Sequence, residues 1–292
     1  MKKIPLTFFL LLFWCITIHA DETESPQQFE GFNLAGYEEG GKKTWDVKGD
    51  TADIIGNIVK LTNIVANAYG AEQMNLTAKN GTVQKDTGLM HLENDVVITT
   101  NTGTKLTTDT LNWERSKDLV QTDDDVTITR EGLVATGTGA LGHPSLKDAQ
   151  LNKDVTVTFE TNEGQSASGA ALGRVVTITC DGSMEMEYEN QKATFNDNVV
   201  AIDGDRKLTA DKMEVFFDTE ASQIKELICI GHVSVVQGEN STYSEKAVYN
   251  AAEKKLTLSG RPKLILYTAK EGGLSFGESG SDKPVSSDSK KE

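Results

Sequence analysis

The sequence has few cysteines, histidines and prolines for its 292 residues. Of the three cysteines, Cys15 lies in the apolar N-terminal run, which leaves Cys180 and Cys229 in predicted strands. These two are either buried thiols that act as small apolar side chains or partners in one disulfide. The histidines and cysteines lack the spacing of a metal site, so neither a metal nor another cofactor is expected.

Clustered positive charge is also missing. The formal net charge is −15 at pH 7, and no cluster of Lys and Arg interrupts the body of the chain. Because binding to nucleic acid needs such clusters, nucleic acid is excluded as a partner. The sequence contains no nucleophile–base pair and no phosphate-binding loop, and residues 123–125 (DDD) lack the spaced ligands of a calcium loop. The sequence therefore predicts a protein that is not an enzyme.

The N-terminal segment, residues 1–20, predicts export. Lys2 and Lys3 precede an apolar run that extends to His19, and acidic residues follow Ala20. This order is typical of a signal peptide that is cleaved after Ala20, but an uncleaved inner-membrane anchor has the same features. Either segment places the rest of the chain in the periplasm.

Short segments of alternating apolar and polar residues fill the chain from residue 44 to residue 267. They are rich in Val, Ile and Thr, and turn sequences such as Asn80-Gly81 separate them. No stretch has a convincing helical period. This pattern predicts an all-β protein.

A valine that follows a polar residue marks a repeat along these segments. Successive valines are 30, 29, 44 and 34 residues apart. The copies are Asp95-Val96, Asp125-Val126, Asp154-Val155, Asn198-Val199 and His232-Val233. A second element, Leu-Thr-x-Asp, begins at Leu106 and again at Leu208, so each repeat supplies two strands. Such a unit cannot bury its apolar side alone, and we expect two stacked antiparallel sheets with their apolar faces opposed.

Acidic residues occupy one place in the second element. They are Asp109 and Asp211, with Glu245 in a degenerate copy. Each of the three lies one position away from the apolar residues of its alternating segment. We therefore expect all three to face solvent and to discourage lateral aggregation. A catalytic ladder of carboxylates would need burial and a partner group.

The longest gap between valines of the repeat contains a Gly-, Ser- and Ala-rich stretch at residues 161–173. It predicts a boundary between two related halves, residues 29–160 and residues 174–268. Residues 269–292 have almost no apolar side chains and are expected to form a disordered tail.

The first half resembles the LptC type of lipopolysaccharide-export protein. The resemblance is carried by residues 29–32 (FEGF), 37–40 (YEEG), 43–47 (KTWDV) and 59–65 (VKLTNIV). The second half is similar to the OstA type, also called LptA. It matches at residues 193–200 (ATFNDNVV), 208–215 (LTADKMEV), 231–233 (GHV), 247–249 (AVY) and 256–260 (LTLSG). The two types are usually separate proteins, so the fusion departs from the family pattern.

The resemblance implies a twisted β-jellyroll with an open apolar groove between its two sheets. It also implies a periplasmic protein that carries lipopolysaccharide. The implied partners are an inner-membrane ATP-binding-cassette export complex and an outer-membrane lipopolysaccharide translocon or another OstA-like protein. A secreted β-repeat protein with a structural or adhesive role is the alternative. An adhesin would pack its repeats solid, whereas a lipid carrier leaves an apolar cleft open.

Alternating apolar residues are the candidates for the lipid-binding groove. In the first half they are Val96, Ile98, Leu111, Val126 and Ile128. In the second half they are Met186, Phe195, Val199, Met213, Val215, Phe217, Val233, Val235 and Leu258. For each residue, the alternative is an ordinary place in the core.

An uncharged apolar run lies near the C-terminal end of the strands and consists of Leu264, Ile265, Leu266 and Tyr267. An idle edge strand is normally protected by charge, so this run is expected to pair with a partner strand. The opposite end of the stack, near residues 32–47, is expected by resemblance to dock on the inner-membrane transporter. Capping of the C-terminal edge by the chain from Ala269 onward is the alternative.

Overall fold

The described residues of the computed structural model are 26–70, 73–161, 174–218 and 223–267. The predicted signal peptide or anchor and the predicted tail lie outside these ranges. Within them the chain is almost entirely β-strand, with one short 3-10 turn at Arg115–Lys117. The expected all-β class is confirmed. No helix in the described part of the chain is long and apolar enough to cross a membrane.

Seventeen strands follow one another along the described chain. They are β1 Gln27–Tyr37, β2 Lys43–Ile55, β3 Ile58–Tyr69, β4 Gln73–Gln84, β5 Leu89–Thr100, β6 Lys105–Glu114, β7 Leu119–Arg130, β8 Leu133–Gly142, β9 Asp148–Thr161, β10 Arg174–Cys180, β11 Met184–Glu187, β12 Lys192–Asp203, β13 Arg206–Asp218, β14 Gln223–Gln237, β15 Asn240–Asn250, β16 Lys255–Ser259 and β17 Lys263–Ile265. Consecutive strands pair antiparallel and form one long meander, with two exceptions. β10 and β11 do not pair with each other, and β16 and β17 both pair with β15.

Pairing is continuous between the two predicted halves. β10 and β11 both pair with β9 on one side and with β12 on the other. Val176 lies opposite Phe159, and Met184 lies opposite Leu151. β10 and β11 therefore act as the two parts of one interrupted strand, and the hydrogen-bonded ladder runs from the first half into the second without a break.

Most of the strands bend near their middle, and the bends divide the meander into two layers. The pairing register shifts between Glu93 and Val96 in β5 and between Asn196 and Val199 in β12. Apolar side chains are buried on both sides of such a bend, as Leu92 and Val96 show. One layer, called here the β10 layer, consists of β10, β17 and the strand halves that are connected to them by hydrogen-bonded pairing. The other layer, called the β11 layer, consists of β11, β16 and the strand halves connected to them in the same way.

The valine repeat marks these bends. Asp95, Asp154, Asn198 and His232 each have a positive φ, between 43° and 54°, directly before a buried valine of the repeat. Asn and Asp tolerate this left-handed conformation better than other non-glycine residues. The polar residue turns the backbone, and the valine after it re-enters the core. A core shared by both layers follows from this arrangement, as the expected stack of two apolar faces requires.

Two of the aligned acidic residues, Asp211 and Glu245, lie beside a positive-φ turn of an adjacent segment. Asp211 Oδ2 is 2.8 Å from His232 Nδ1. A side chain at Gly260 would meet Glu245, whose Cβ lies 2.4 Å from the position of the added carbon. Asp109, Asp211 and Glu245 are all exposed, which confirms the expected solvent-facing positions.

Candidate functional site

An apolar cavity of about 210 Å³ lies between the two layers where the first half meets the second. Strand β9 lines it twice, with Leu151 in the β11 layer and with Val157 and Phe159 in the β10 layer. Ile178 of β10 and Met184 and Met186 of β11 are the lining residues contributed by the interrupted strand. The cavity is therefore the place where the two layers stand apart, and residues from both halves enclose it.

Five of the predicted groove residues line this cavity: Ile128, Met186, Phe195, Val215 and Phe217. Seven others are at most 1% exposed and pack in the closed core: Val96, Ile98, Leu111, Val126, Val199, Met213 and Val233. Val235 and Leu258 are half-buried against that core. Contact of any of these residues with lipid stays a prediction. The structure places a cavity at the junction of the two halves.

Several lining residues were not among the predicted groove residues. Val157 and Phe159 continue the alternation that starts at Val155, so the same signal could have identified them. Met184 lies on a strand of only four residues, and Leu146 lies in the turn before β9. Met184 alternates with Met186 across Glu185, so the periodic signal could have identified it as well, whereas Leu146 has no periodic signal in the sequence.

The rim of the cavity is polar and contains one basic residue, Arg130 at the end of β7. Its guanidinium stacks on the Tyr188 ring, 4.2 Å from the ring centroid, and donates a hydrogen bond to the Tyr188 hydroxyl. Three carboxylates also line the cavity: Glu131, Glu160 and Asp218. The cavity thus combines an apolar interior with a charged mouth.

Cys180 and Cys229 are separate free thiols, and both are buried. Burial raises the pKa of Cys180 to about 11 and that of Cys229 to about 12, because the thiolate would lose its hydration. Both side chains stay protonated at neutral pH and act as small apolar groups. Among the described residues, no group of three His, Cys, Asp or Glu side chains is placed to hold a metal ion.

The described sheet has an edge strand at each end. β1 pairs only with β2, and its Leu34 and Tyr37 are exposed. At the other end, β17 pairs only with β15, and Leu264 is 53% exposed while Ile265 is half-buried. Leu266 and Tyr267 follow β17 and are also exposed. Both edges therefore present unpaired backbone within the described chain.

The family comparisons agree with this architecture. The model of a family described as lipopolysaccharide-assembly, LptC-related, matches residues 13–160, which is half of the chain. The chain belongs to this family. A second model, of the LptA/(LptD N-terminal domain) lipopolysaccharide transport proteins, matches residues 177–275. The expected resemblance of each half is confirmed, and the fusion of the two types is real.

A solved structure is also similar to this member of the LptC-related family. It is LptH, the LptA homologous periplasmic component of the conserved lipopolysaccharide transport device from Pseudomonas aeruginosa. The two chains are 12% identical, the match covers 67% of this chain and 95% of LptH, and the TM-score is 0.20. No curated protein matches the chain. The family matches confirm lipopolysaccharide transport as the function and do not favour the adhesive alternative.

Proposed function

We propose that the chain holds the acyl chains of lipopolysaccharide between its two β-layers while the molecule crosses the periplasm. The apolar cavity at the junction of the two halves is the observation that supports this proposal. Burial of an acyl chain contributes about 0.8 kcal/mol for each methylene, so a site lined by aliphatic and aromatic side chains retains lipid without any chemical step. The energy for directional transfer comes from a partner.

The two halves have different partners in this proposal. Residues 29–160 form the LptC-like unit, and their β1 edge docks on the inner-membrane ATP-binding-cassette export complex. Residues 174–268 form the LptA-like unit, and their β17 edge pairs with the outer-membrane translocon or another OstA-like protein. The family matches and the unpaired edges of the described sheet support this orientation. Residues 1–20 deliver the chain to the periplasm and, if they are not cleaved, hold it at the inner membrane.

Continuity of the sheet supports transfer within one chain. Because β9 pairs with both β10 and β11, the two units share a single pair of layers. Lipid that leaves the first unit therefore meets the cavity before it reaches the second. A fused chain needs no docking step at this point, whereas separate LptC- and LptA-type proteins would.

Filling the cavity tests the proposal. Ala149 lines the cavity, and the next residue of β9, Gln150, points to the opposite face of the strand. We expect Ala149→Trp to reduce several-fold the lipopolysaccharide that co-purifies with the exported protein, as measured by mass spectrometry. Gln150→Trp places the same indole outside the cavity and should leave the amount unchanged. Equal lipid in wild type and both variants, with the fold intact by circular dichroism, would contradict the proposal.

A further inference from the structure

The contact between Arg130 and Tyr188 joins the two layers across the cavity mouth. Arg130 ends β7 in the β10 layer, where it pairs with Leu133. Tyr188 follows β11 in the other layer, and its backbone N–H donates to the carbonyl oxygen of Lys147, the residue before β9. The two residues are 58 positions apart in sequence, and both line the cavity. Their contact, called here the strap, joins the two layers at the cavity.

The partner of Arg130 is unusual for a guanidinium at an acidic rim. Within the described residues, no carboxylate forms an ion pair with Arg130, although Glu131 and Glu160 line the same cavity. A tyrosine ring and hydroxyl attract the cation but do not neutralise it. A phosphate can accept two parallel hydrogen bonds from a guanidinium, and such charge-assisted pairs are stronger than the contact with Tyr188. Arg130 therefore keeps capacity for an anion.

We infer that Arg130 binds the anionic headgroup of an amphiphile whose apolar chain occupies the cavity, and that Tyr188 occupies Arg130 when the cavity is empty. The inference rests on the proposed function and adds a headgroup-selecting residue and a closing strap to it. The headgroup of an entering lipid replaces Tyr188 as the partner of Arg130. The two layers are thus joined by the strap in the empty state and are free to separate at the mouth when lipid is bound.

The occupant follows from the chemistry of the lining. The apolar interior requires an aliphatic chain, and the single basic residue at the mouth selects a phosphate or a similar anion at the end of that chain. Glu131, Glu160 and Asp218 repel an anion, so the preference depends on Arg130 alone. Removal of Arg130 should reverse the charge preference of the site.

The molecule contains a matched control for the strap. Arg115 lies 5.5 Å from the centroid of the Trp45 ring, and this second arginine–aromatic contact also joins the two layers. Neither Arg115 nor Trp45 lines the cavity. Arg115→Ala therefore removes a comparable cross-layer contact without touching the proposed headgroup site.

The test measures binding of two amphiphiles with the same chain, dodecyl phosphate and dodecyltrimethylammonium, to the purified full chain by titration calorimetry. Wild type should bind the phosphate at least about tenfold more tightly than the ammonium, the factor expected from one charge-assisted pair. Arg130→Ala and Arg130→Gln should lose this preference or reverse it, and Arg115→Ala should keep it. Inorganic phosphate alone should not displace dodecyl phosphate, since the chain supplies most of the affinity.

Tyr188 variants separate a strap from an ordinary structural contact. Tyr188→Ala frees Arg130 and should bind dodecyl phosphate several-fold more tightly than wild type. Tyr188→Phe retains the ring, and its affinity should lie between those of wild type and Tyr188→Ala. A contact that only supports the fold would weaken binding in the Arg130 and Tyr188 variants alike, and that result would overturn the inference. Retained preference in the Arg130 variants, or displacement by inorganic phosphate at equal concentration, would overturn it as well.

Lipopolysaccharide that co-purifies with the same proteins separates the two proposals. Equal amounts with wild type and Arg130→Ala would leave lipopolysaccharide binding intact and refute the role of Arg130. Discrimination between the dodecyl compounds without any bound lipopolysaccharide would support the headgroup site and refute the proposed cargo.

Discussion

Hydrogen bonds from three side chains determine the ionisation of Asp46 at the N-terminal end of the sheet. Its carboxylate accepts from Asn67 Nδ2 at 2.8 Å, from Lys43 Nζ at 2.5 Å and from the Tyr69 hydroxyl at 2.9 Å. These bonds lower the pKa of Asp46 to about 2, because they favour the charged form, and the bond from Asn67 has the largest effect. The sequence did not indicate this cluster, since Asn67 and Tyr69 belong to β3 and reach Asp46 only through strand pairing.

Acid should remove the stabilisation that Asp46 provides. A carboxylate whose pKa is lower in the folded state stabilises the fold fully above its ordinary pKa of about 4, and this stabilisation is lost as the pH falls through the folded value of about 2. The difference in urea midpoint between wild type and Asp46→Asn should be largest at pH 7 and should shrink between pH 4 and pH 2. Asp205→Asn, in the exposed turn before β13, serves as the control. A difference that grows on acidification would contradict the assignment.

Bends within strands are the feature that the sequence revealed only in part. The repeated pair of a polar residue and a valine was visible, and its valines are buried in the structure. Its conformational meaning was not visible, because Asn and Asp in a strand pattern are equally compatible with an exposed position of a straight strand. Only the positive φ of residues such as Asp154 shows that the polar residue turns the chain from one layer to the other.

Gly231 tests this account of the bends. It has a φ of 78°, and a Cβ there would lie 2.2 Å from Asp211 Oδ2. Gly238 also has a positive φ, 57°, but a Cβ there meets nothing within 4 Å. Gly238→Ala should cost about 1 kcal/mol in the free energy of unfolding for the backbone conformation alone, and Gly231→Ala about 1–3 kcal/mol more because Asp211 must move.

Urea unfolding of the two glycine variants measures this difference directly. The double variant Gly231→Ala with Asp211→Ala should recover part of the loss, since the colliding carboxylate is then absent. Equal destabilisation by Gly231→Ala and Gly238→Ala would show that the acidic residue does not cover the bend.

For the whole molecule, the sequence predicted the composition of the core better than the position of the open space. Val199 and Phe195 have the same alternation in β12, yet Val199 packs in the closed core and Phe195 faces the cavity. Periodicity identifies the inward face of a strand, whereas the distance between two layers depends on side chains from distant strands. The sequence also could not show that β9 and β10 pair across residues 162–173, because pairing is a long-range contact.

The C-terminal edge gives a prediction about assembly. β17 pairs with β15 only, so its other side is unpaired in the described chain. Ile265→Pro removes a backbone donor from this three-residue strand and should abolish binding of an OstA-like partner in a pull-down assay, while the core strands stay folded by circular dichroism. Normal partner binding and normal lipopolysaccharide export by this variant would show that the edge is idle.

In the proposed function, lipopolysaccharide travels between the two layers. A photo-crosslinking amino acid in place of Val215 or Phe217, which line the cavity, should label lipopolysaccharide in living cells. The same group at Lys212, which is 41% exposed on the same strand, should not. Crosslinks at the two cavity positions alone are the result that the account predicts. Equal labelling at Lys212 would place the lipid on the outer surface and would contradict it.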